Sequence, residues 1–246
     1  MKIDTEALNI LDQCTVDGNI LFLPSIQLER KLYEKVNRIL ECLGGKWNRS
    51  KRGHVFANNP AEMIEEAILT GEVTDAKKEF QFFETPKNIV ATMIELANLQ
   101  PEDKVLEPSA GRGAILDEIV KFTPFVNAVE LNPDNYKVLI SKYSEVLLGD
   151  FLGFESNGVY DKVIMNPPFS KQQDIDHVLH AWDCLKPGGI LVAIMSEGTF
   201  FRENKKAKDF RELLGQVGYS ISLDDGAFKE SGTMVKTRIV VMIKEV

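Results

Sequence analysis

The sequence has few of the residues that build metal centres or disulfide frameworks. It contains three cysteines and three histidines among 246 residues, and neither set shows the spacing of metal ligands. Cys14, Cys42 and Cys184 are odd in number and far apart along the chain. Such cysteine usage is typical of reduced thiols in a cytoplasmic protein, so the sequence predicts no metal site and no disulfide bond.

Long hydrophobic runs are also absent. No apolar stretch is long enough to cross a bilayer, and the N-terminus lacks the pattern of a signal peptide. Hydrophobic residues make up 44% and charged residues 27% of the chain, as in ordinary globular proteins. The sequence therefore predicts a cytoplasmic protein without a membrane partner, built as one large domain or as a core with a small appendage.

The chain has fewer basic than acidic residues. It contains 29 lysines and arginines and 37 aspartates and glutamates, so the net charge is −8. This balance normally counts against a nucleic-acid partner. The cations are concentrated, however, over residues 46–54 and from Arg202 to Arg211. Such clusters can bind phosphates on an acidic protein, although each alone is equally compatible with plain solvated surface. The predicted phosphate contacts are Arg49, Lys51, Arg52, Lys205, Lys206 and Lys208.

Residues 1–78 predict a small N-terminal α+β module. Its first helix is expected to begin after Ser25, a suitable N-cap, and its second helix to cover residues 59–71. Between them, residues 46–56 predict a hairpin in which basic and aromatic side chains interleave, as they do on many nucleic-acid surfaces. We predict that Trp47 packs in the core and that the module serves nucleic-acid or target recognition.

Residues 79–246 alternate strand and helix patterns, which predicts an α/β domain. Its sheet should be mostly parallel with helices on both faces. Ligands of such sheets bind at the carboxyl ends of the strands, near the point where the strand order reverses. The expected strands cover 104–107, 126–130, 146–148, 162–165, 190–195, 219–223 and 237–244, and the expected helices 86–98, 113–121, 133–142, 173–185 and 203–214.

A glycine-containing loop and three acidic residues follow the first three of these strands. The loop Glu107–Gly113 lacks the dinucleotide fingerprint and the Lys-Ser/Thr of a phosphate-binding loop, which counts against NAD and ATP. Glu130 suits the hydroxyls of a ribose, and Asp150 suits an exocyclic amine, with Phe151 beside it for stacking. These acidic side chains would repel phosphate groups, but they would favour a positively charged cofactor that has no phosphate. S-adenosylmethionine fits that description.

A stiff polar element follows the next apolar strand. The run 163–165 ends at Asn166-Pro167-Pro168-Phe169. Each proline disfavours helix in the residue before it and removes a backbone donor, but both prolines keep their carbonyl acceptors. An amide, carbonyls and an aromatic ring at a strand end suit the binding of a planar group that carries an amino nitrogen. A purely structural turn remains the alternative at this level.

Four segments together resemble a known family. They are Phe82–Pro86, Glu107–Gly113, Asn166–Phe169 and Gly226–Thr233. In residues and in order they are similar to S-adenosylmethionine-dependent N6-adenine DNA methyltransferases of the Asn-Pro-Pro-Phe type. The resemblance covers about residues 80–246 and implies a seven-stranded, mostly parallel Rossmann-like methyltransferase sheet with residues 237–244 as its antiparallel strand.

The resemblance also implies roles for individual residues. The Asn166 side-chain oxygen and the Pro167 carbonyl would accept from the amino group of a flipped-out adenine, Phe169 would stack on the base, and Phe228 would pack against its other face or edge. Asn166, Pro167, Pro168 and Phe169 form the expected catalytic element. The expected cofactor contacts are Phe83, Thr85, Pro86, Glu107, Ser109, Ala110, Gly111, Gly113, Glu130, Asp150 and Phe151.

One departure from the family leaves the substrate open. Related enzymes carry a sizeable recognition domain after the catalytic core, whereas 77 residues follow Phe169 and the remaining strands use most of them. Methylation of RNA at adenine N6 or guanine N2, methylation of a protein glutamine amide, and an inactive cofactor-binding module therefore remain alternatives. Recognition would then come from the N-terminal module, from short loops or from a partner.

Overall fold

The computed structural model divides into two compact units. Unit 1 comprises Met1–Gln81 and Phe200–Asn204, and unit 2 comprises Phe82–Thr199 and Lys205–Val246. The segment Phe200–Asn204 was not part of the predicted N-terminal module. The residues that the structure describes are 1–73, 84–155, 158–229, 231 and 235–245.

Unit 1 combines three helices with a four-stranded antiparallel sheet of order β1-β2-β4-β3. The predicted hairpin is present as β3 and β4. The N-terminal helix α1 and the hairpin of β1 and β2 were not predicted. The elements are α1 Thr5–Asp12, β1 Thr15–Asp17, β2 Ile20–Phe22, α2 Arg30–Cys42, β3 Lys46–Asn48, β4 Gly53–Val55 and α3 Ala61–Thr70.

The helix ends of unit 1 follow local capping chemistry. The Asp4 side chain accepts a hydrogen bond from the Ala7 amide and so caps the start of α1. At the other end of the module, α3 stops at Gly71, whose φ of 67° is the left-handed conformation common after helices. Ser25 lies five residues before α2, so the predicted N-cap at Ser25 is wrong; the residue before α2 is Glu29, which makes no side-chain cap.

Trp47 lies outside the core of unit 1. Its side chain is 46% exposed, and the prediction that it packs inside is wrong. The cross-strand partner of Trp47 on β4 is His54, which is fully buried and whose Nε2 lies 2.8 Å from the Asn37 side-chain oxygen on α2. The smaller polar ring therefore occupies the inner position because α2 offers it a hydrogen bond.

Arg202 is buried in unit 1 and does not belong to a surface cluster. Its side chain is 1% exposed, with Nε 3.1 Å from an Asp12 oxygen and Nη2 at 3.0 and 3.1 Å from the two oxygens of Glu65. Buried carboxylates and guanidinium groups persist when they pair in this way. Arg202 is therefore not on the surface where a phosphate backbone could reach it.

Unit 2 contains the predicted seven-stranded sheet with flanking helices, which confirms the fold class. One expected helix, over 113–121, is reduced to a single turn. The elements are α4 Lys87–Ala97, β5 Val105–Glu107, α5 Leu116–Ile119, β6 Val126–Glu130, α6 Pro133–Ile140, β7 Val146–Leu148, β8 Tyr160–Met165, α7 Gln173–Cys184, β9 Leu185–Ser196, α9 Lys205–Val217, β10 Gly218–Ser222 and β11 Thr237–Ile243. The short helix α8, Gly198–Phe201, begins in unit 2 and its last two residues belong to unit 1.

The strand order of unit 2 is β10-β11-β9-β8-β5-β6-β7. The pairs β9–β8, β8–β5, β5–β6 and β6–β7 are parallel, and β11 lies antiparallel between β9 and β10 as predicted. The chain runs outward from β5 to β6 and β7, and returns on the other side of β5 to form β8. The order therefore reverses at β5, where ligands of parallel sheets bind.

The apolar sequence runs of unit 2 become its most buried strands. Val163, Ile164 and Met165 on β8 have no exposed surface, as expected for a strand covered on both faces. Burial of such side chains contributes about 1.5–3 kcal/mol each. None of the helices among the described residues combines the length and the apolar character that spanning a bilayer requires.

Candidate active site

The predicted site residues meet at one edge of the parallel sheet. Glu107 ends β5, Glu130 ends β6, and Asn166 directly follows β8, so three neighbouring strands deliver their polar ends side by side. Asp150 follows β7, the next strand beyond β6. Because carboxyl ends of parallel strands lie at the same edge, the sequence order alone could predict this grouping.

The glycine loop, residues 107–113, lies at the ends of β5 and β6. Its backbone adopts a conformation that favours glycine. Gly111 and Gly113 have φ of 57° and 94°, a region in which side chains are strained. A Cβ at Gly113 would also lie 3.2 Å from Leu139 and 3.3 Å from Tyr143. The Ala110 amide donates to the Val129 carbonyl at 3.1 Å, which ties the loop to β6.

Glu130 holds the glycine loop and the start of α6 at the same time. One carboxylate oxygen accepts from the Gly111 amide at 2.6 Å, and the other accepts from the Asn132 amide at 2.7 Å. The residue is 8% exposed. Each oxygen has a second lone pair, so the carboxylate can still accept from two ligand hydroxyls.

Glu107 is a buried carboxyl group with unused bonding capacity. It is 1% exposed, and its Oε2 has no hydrogen-bond partner among the described residues. Burial, followed by the nearby charge of Glu130, raises the pKa of Glu107 well above its ordinary value. A positively charged ligand would relieve both the missing contact and the repulsion.

Asp150 and Phe151 have different surroundings. Asp150 is exposed and accepts from the Leu152 amide at 3.0 Å, which starts a short 3₁₀ turn. Phe151 is 2% exposed, and its ring lies 5.6 Å from that of His177 and 4.7 Å from that of His180. The Phe151 ring therefore supports this corner from the core and offers no face for the stacking that we predicted.

Asn166 is oriented by Thr85. The Asn166 Nδ2 donates to the Thr85 hydroxyl at 3.0 Å, across 81 residues of sequence. Thr85 is 6% exposed and lies just before Pro86, the residue that precedes α4. Because the amide nitrogen donates to Thr85, the carbonyl oxygen lies on the other branch of the amide group, and that oxygen can act only as an acceptor.

The residues after Asn166 form a strained loop. Pro167 and Phe169 are buried and Pro168 is exposed. Lys171 and Gln172 then have φ of 55° and 60° in succession, a left-handed conformation that costs a non-glycine residue about 1–3 kcal/mol. Such a loop persists only where its surroundings hold it.

Asp174 supplies such an anchor, and no local sequence pattern indicates it. It lies in the first turn of α7 with no exposed surface, and one of its oxygens accepts from the Ser196 amide, the Ser196 hydroxyl and the Thr199 hydroxyl at 2.9, 3.0 and 3.1 Å. This network joins the start of α7 to the end of β9, the neighbour of β8. Acidic residues at the start of a helix are usually exposed. The sequence therefore does not indicate that Asp174 is buried.

The segment around Phe228 approaches the same place. The Ser231 hydroxyl donates to the Glu84 carbonyl at 2.6 Å, next to Thr85, which bonds Asn166. Phe228 itself is 1% exposed. Phe83, a predicted cofactor contact, lies outside the described residues, and Ser109 is half-buried in the glycine loop.

The cations of α9 are only partly open to a ligand. Lys206 pairs with Asp176 at 2.7 Å, and Arg211 donates to the Thr199 carbonyl at 2.8 Å. Lys205 and Lys208 are exposed. The basic cluster predicted from 202 to 211 is therefore smaller than the sequence suggested, because Arg202 is buried and two further cations are engaged within unit 2.

No protein-family model matches the chain. The chain is 29% identical over 105 residues to the ribosomal RNA small subunit methyltransferase A of Chlorobium limicola, a match that covers 40% of each protein. The chain thus aligns with about two fifths of the length of that relative. Whatever lies in the rest of that relative has no counterpart in the match.

Two further similarities cover more of the chain. The protein-L-isoaspartate O-methyltransferase of Dictyoglomus turgidum is 32% identical over 152 residues, which is 53% of this chain and 67% of that protein. The methyltransferase subunit of a type I restriction-modification system from Streptococcus thermophilus superimposes with a TM-score of 0.58 at 20% identity, covering 75% of this chain and 48% of that one, and so shares the fold. The chain belongs to the S-adenosylmethionine-dependent methyltransferase family.

Proposed function

We propose that the protein transfers a methyl group from S-adenosylmethionine to the exocyclic N6 of an adenine in DNA. The observation that supports this most is the hydrogen bond from Asn166 to Thr85, which turns the amide oxygen away from Thr85 at the end of β8. An acceptor in this position serves a substrate that presents N–H groups. The fold of a type I restriction-modification methyltransferase subunit is compatible with a DNA substrate.

The chemistry explains why the site needs acceptors instead of a base. The N6 lone pair of adenine is delocalised into the ring, and the neutral amine is too weak an acid for a carboxylate to deprotonate. Acceptors from Asn166 and Pro167 would draw the amino hydrogens into place, so that the nitrogen becomes tetrahedral and its lone pair is aimed. Phe169 would stack on the flipped base, and the proton would leave to solvent afterwards.

We assign the cofactor to the ends of β5, β6 and β7 at the same edge of the sheet. S-adenosylmethionine, when bound, supplies an electrophilic methyl group on a sulfonium. The unpartnered Glu107 oxygen fits a cationic ligand of this kind. Glu130 retains lone pairs for ribose hydroxyls, and the exposed Asp150 carboxylate is assigned to the adenine amine.

Cofactor binding should depend on pH through Glu107. Its raised pKa means that the free protein keeps this carboxyl protonated at pH values where an exposed glutamate is ionised. A cationic ligand favours the ionised form, so binding releases a proton. Affinity for S-adenosylmethionine should therefore rise with pH toward that raised pKa, by up to about tenfold per pH unit, as measured by calorimetry.

The variant Glu107→Gln is the matched control for this pH dependence. It should bind S-adenosylmethionine more weakly and lose the proton release. Without ligand, a buried acid with a raised pKa stabilises the fold at low pH and loses that contribution as pH rises through the raised pKa, so the variant should gain stability over wild type with rising pH. Identical pH profiles for the two proteins would remove Glu107 from the cofactor site.

Two alternatives differ in the nucleophile that they present. An isoaspartyl carboxylate is already an anion, so an acceptor such as the Asn166 oxygen would repel it, and the relative named for that substrate does not favour its use here. The similarity to ribosomal RNA small subunit methyltransferase A supports RNA as a second candidate substrate, methylated at adenine N6 or guanine N2, because the same acceptors suit an amino group in RNA.

A labelling experiment distinguishes these substrates. The protein is incubated with tritiated S-adenosylmethionine and, in parallel, with duplex DNA, single-stranded DNA, total RNA and a protein lysate. We expect label in DNA, recovered as N6-methyladenine and lost in Asn166→Ala. Label recovered in RNA alone would establish the second candidate, and label in protein alone would overturn both.

A further inference from the structure

The β3–β4 hairpin of unit 1 carries a group of cations that pair with no carboxylate among the described residues. Lys46, Arg49, Lys51 and Arg52 are all exposed, and none forms an ion pair with a described residue. On the helix α2 of the same unit, by contrast, Arg30 pairs with Glu34 and Lys35 pairs with Asp4. A concentrated positive tip on a chain with a net charge of −8 is the pattern expected for an anionic partner.

The tip of this hairpin is held in one conformation. The Asn48 side-chain oxygen accepts from the Ser50 amide, the Ser50 hydroxyl and the Lys51 amide at 3.1, 2.7 and 3.0 Å. Arg52 closes the turn with φ of 52°. Because the backbone is ordered before any partner arrives, binding through these cations would lose little conformational entropy.

The base of the hairpin is packed too tightly to swing. A Cβ on Gly53 would lie 2.7 Å from Ile20 and 2.9 Å from the Leu21 carbonyl, and one on Gly45 would lie 2.5 Å from the Phe56 ring. The buried His54 bonds Asn37 on α2. The hairpin is thus a rigid two-stranded ribbon whose tip extends beyond a close-packed base.

The exposed ring of Trp47 lies on this ribbon. Its ring meets that of His54 edge-on, with centroids 5.2 Å apart, and nearly half of the side chain faces solvent. Lysines on an edge strand often serve to prevent its pairing with a strand of another molecule. An exposed indole beside them would favour such association, so this explanation does not fit the hairpin. Cations beside an accessible aromatic ring instead suit the backbone and sugars of a nucleic acid.

We propose that the β3–β4 hairpin is the duplex-DNA docking element of this protein, with Arg49, Lys51 and Arg52 on phosphates. The proposal rests on the proposed function and assigns the docking of its DNA substrate to unit 1. A two-stranded ribbon fits the major groove of B-form DNA, which is about 12 Å wide, whereas the major groove of duplex RNA is too narrow for side chains to read.

The test is the salt dependence of DNA binding, measured by anisotropy of a labelled duplex between about 50 and 300 mM salt. The slope of log affinity against log salt is negative. In the triple variant Arg49→Gln/Lys51→Gln/Arg52→Gln its magnitude should decrease by about 2.7, since each lost phosphate contact removes about 0.9. Trp47 emission gives a second reading, because duplex binding should change it in wild type and Trp47→Phe should abolish the change.

A charge-matched variant controls for net charge. Lys121→Gln/Lys137→Gln/Lys142→Gln removes three exposed cations from unit 2, each paired with a carboxylate, and should leave the slope near that of wild type. Equal slopes for wild type and the hairpin variant would overturn the docking role, even if DNA is methylated. Label in RNA alone would overturn the proposed function, while the binding slope would still decide the role of the hairpin.

Discussion

Replacing Asn166 by alanine is expected to lower the rate of methyl transfer by about 10²–10³-fold, the loss seen when a positioned polar group at a reacting centre is removed. The Asn166 oxygen would act only when an amino group is present, so affinity for S-adenosylmethionine should change little. Single-turnover transfer of tritium to duplex DNA measures the rate, and calorimetry measures the cofactor affinity. A rate within threefold of wild type would contradict the proposed acceptor.

Thr85 provides graded controls for the same prediction. Thr85→Val removes the acceptor that holds the Asn166 amide at 3.0 Å, so the rate should fall, but less than in Asn166→Ala because the amide oxygen is still present. Thr85→Ser keeps the hydroxyl and should stay close to wild type. If Thr85→Val and Thr85→Ser behaved alike, the hydrogen bond would have no role in orienting Asn166.

The grouping of the site residues could be predicted because parallel strands bring their carboxyl ends to one edge. The order of Glu107, Glu130 and Asn166 along the chain, together with three short apolar runs, was sufficient for this. All seven strands of unit 2 were found, since buried strands are continuous apolar runs with clear ends. Sheet pattern and strand ends are local properties of sequence.

The orientation of the side chains within the site could not be predicted in this way. The bond between Thr85 and Asn166 joins residues 81 positions apart, and nothing local to either residue signals it. Asp174 looks like an ordinary acid at a helix start, although it is fully buried among hydroxyls. Phe151 was expected to face a ligand, but the histidines of α7 surround its ring. Each of these depends on which helix packs against which loop.

In unit 1 the two errors of burial have one cause, which is that the polarity of a side chain alone does not decide its exposure. Trp47 was placed inside for its size and apolar character, yet its partner across the hairpin, His54, finds a hydrogen bond on α2 and takes the inner position. Arg202 was placed outside for its charge, yet it is enclosed by two carboxylates. Specific partners decided both positions.

Substitution of Arg202 by methionine should therefore destabilise unit 1. It would leave Asp12 and Glu65, which are only 12% and 18% exposed, without their cation. The loss of one partner of a buried ion pair costs about 3–5 kcal/mol, and the residual exposure favours the lower end. A cost of about 3 kcal/mol corresponds to roughly 150-fold faster hydrogen exchange of the most protected amides in α1 and α3.

The pH dependence of the stability loss tests whether the charge of Arg202 is its cause. Burial already raises the pKa of Asp12 despite the opposing effect of Arg202, and removal of Arg202 would raise it further. An acid with a raised pKa stabilises the fold at low pH and loses that effect as pH rises, so the deficit of Arg202→Met should be larger at pH 8 than at pH 5. Lys206→Met, which breaks the more exposed pair with Asp176, should cost about 1 kcal/mol or less. A deficit independent of pH would mean that Arg202 acts through its packed side chain and not through its charge.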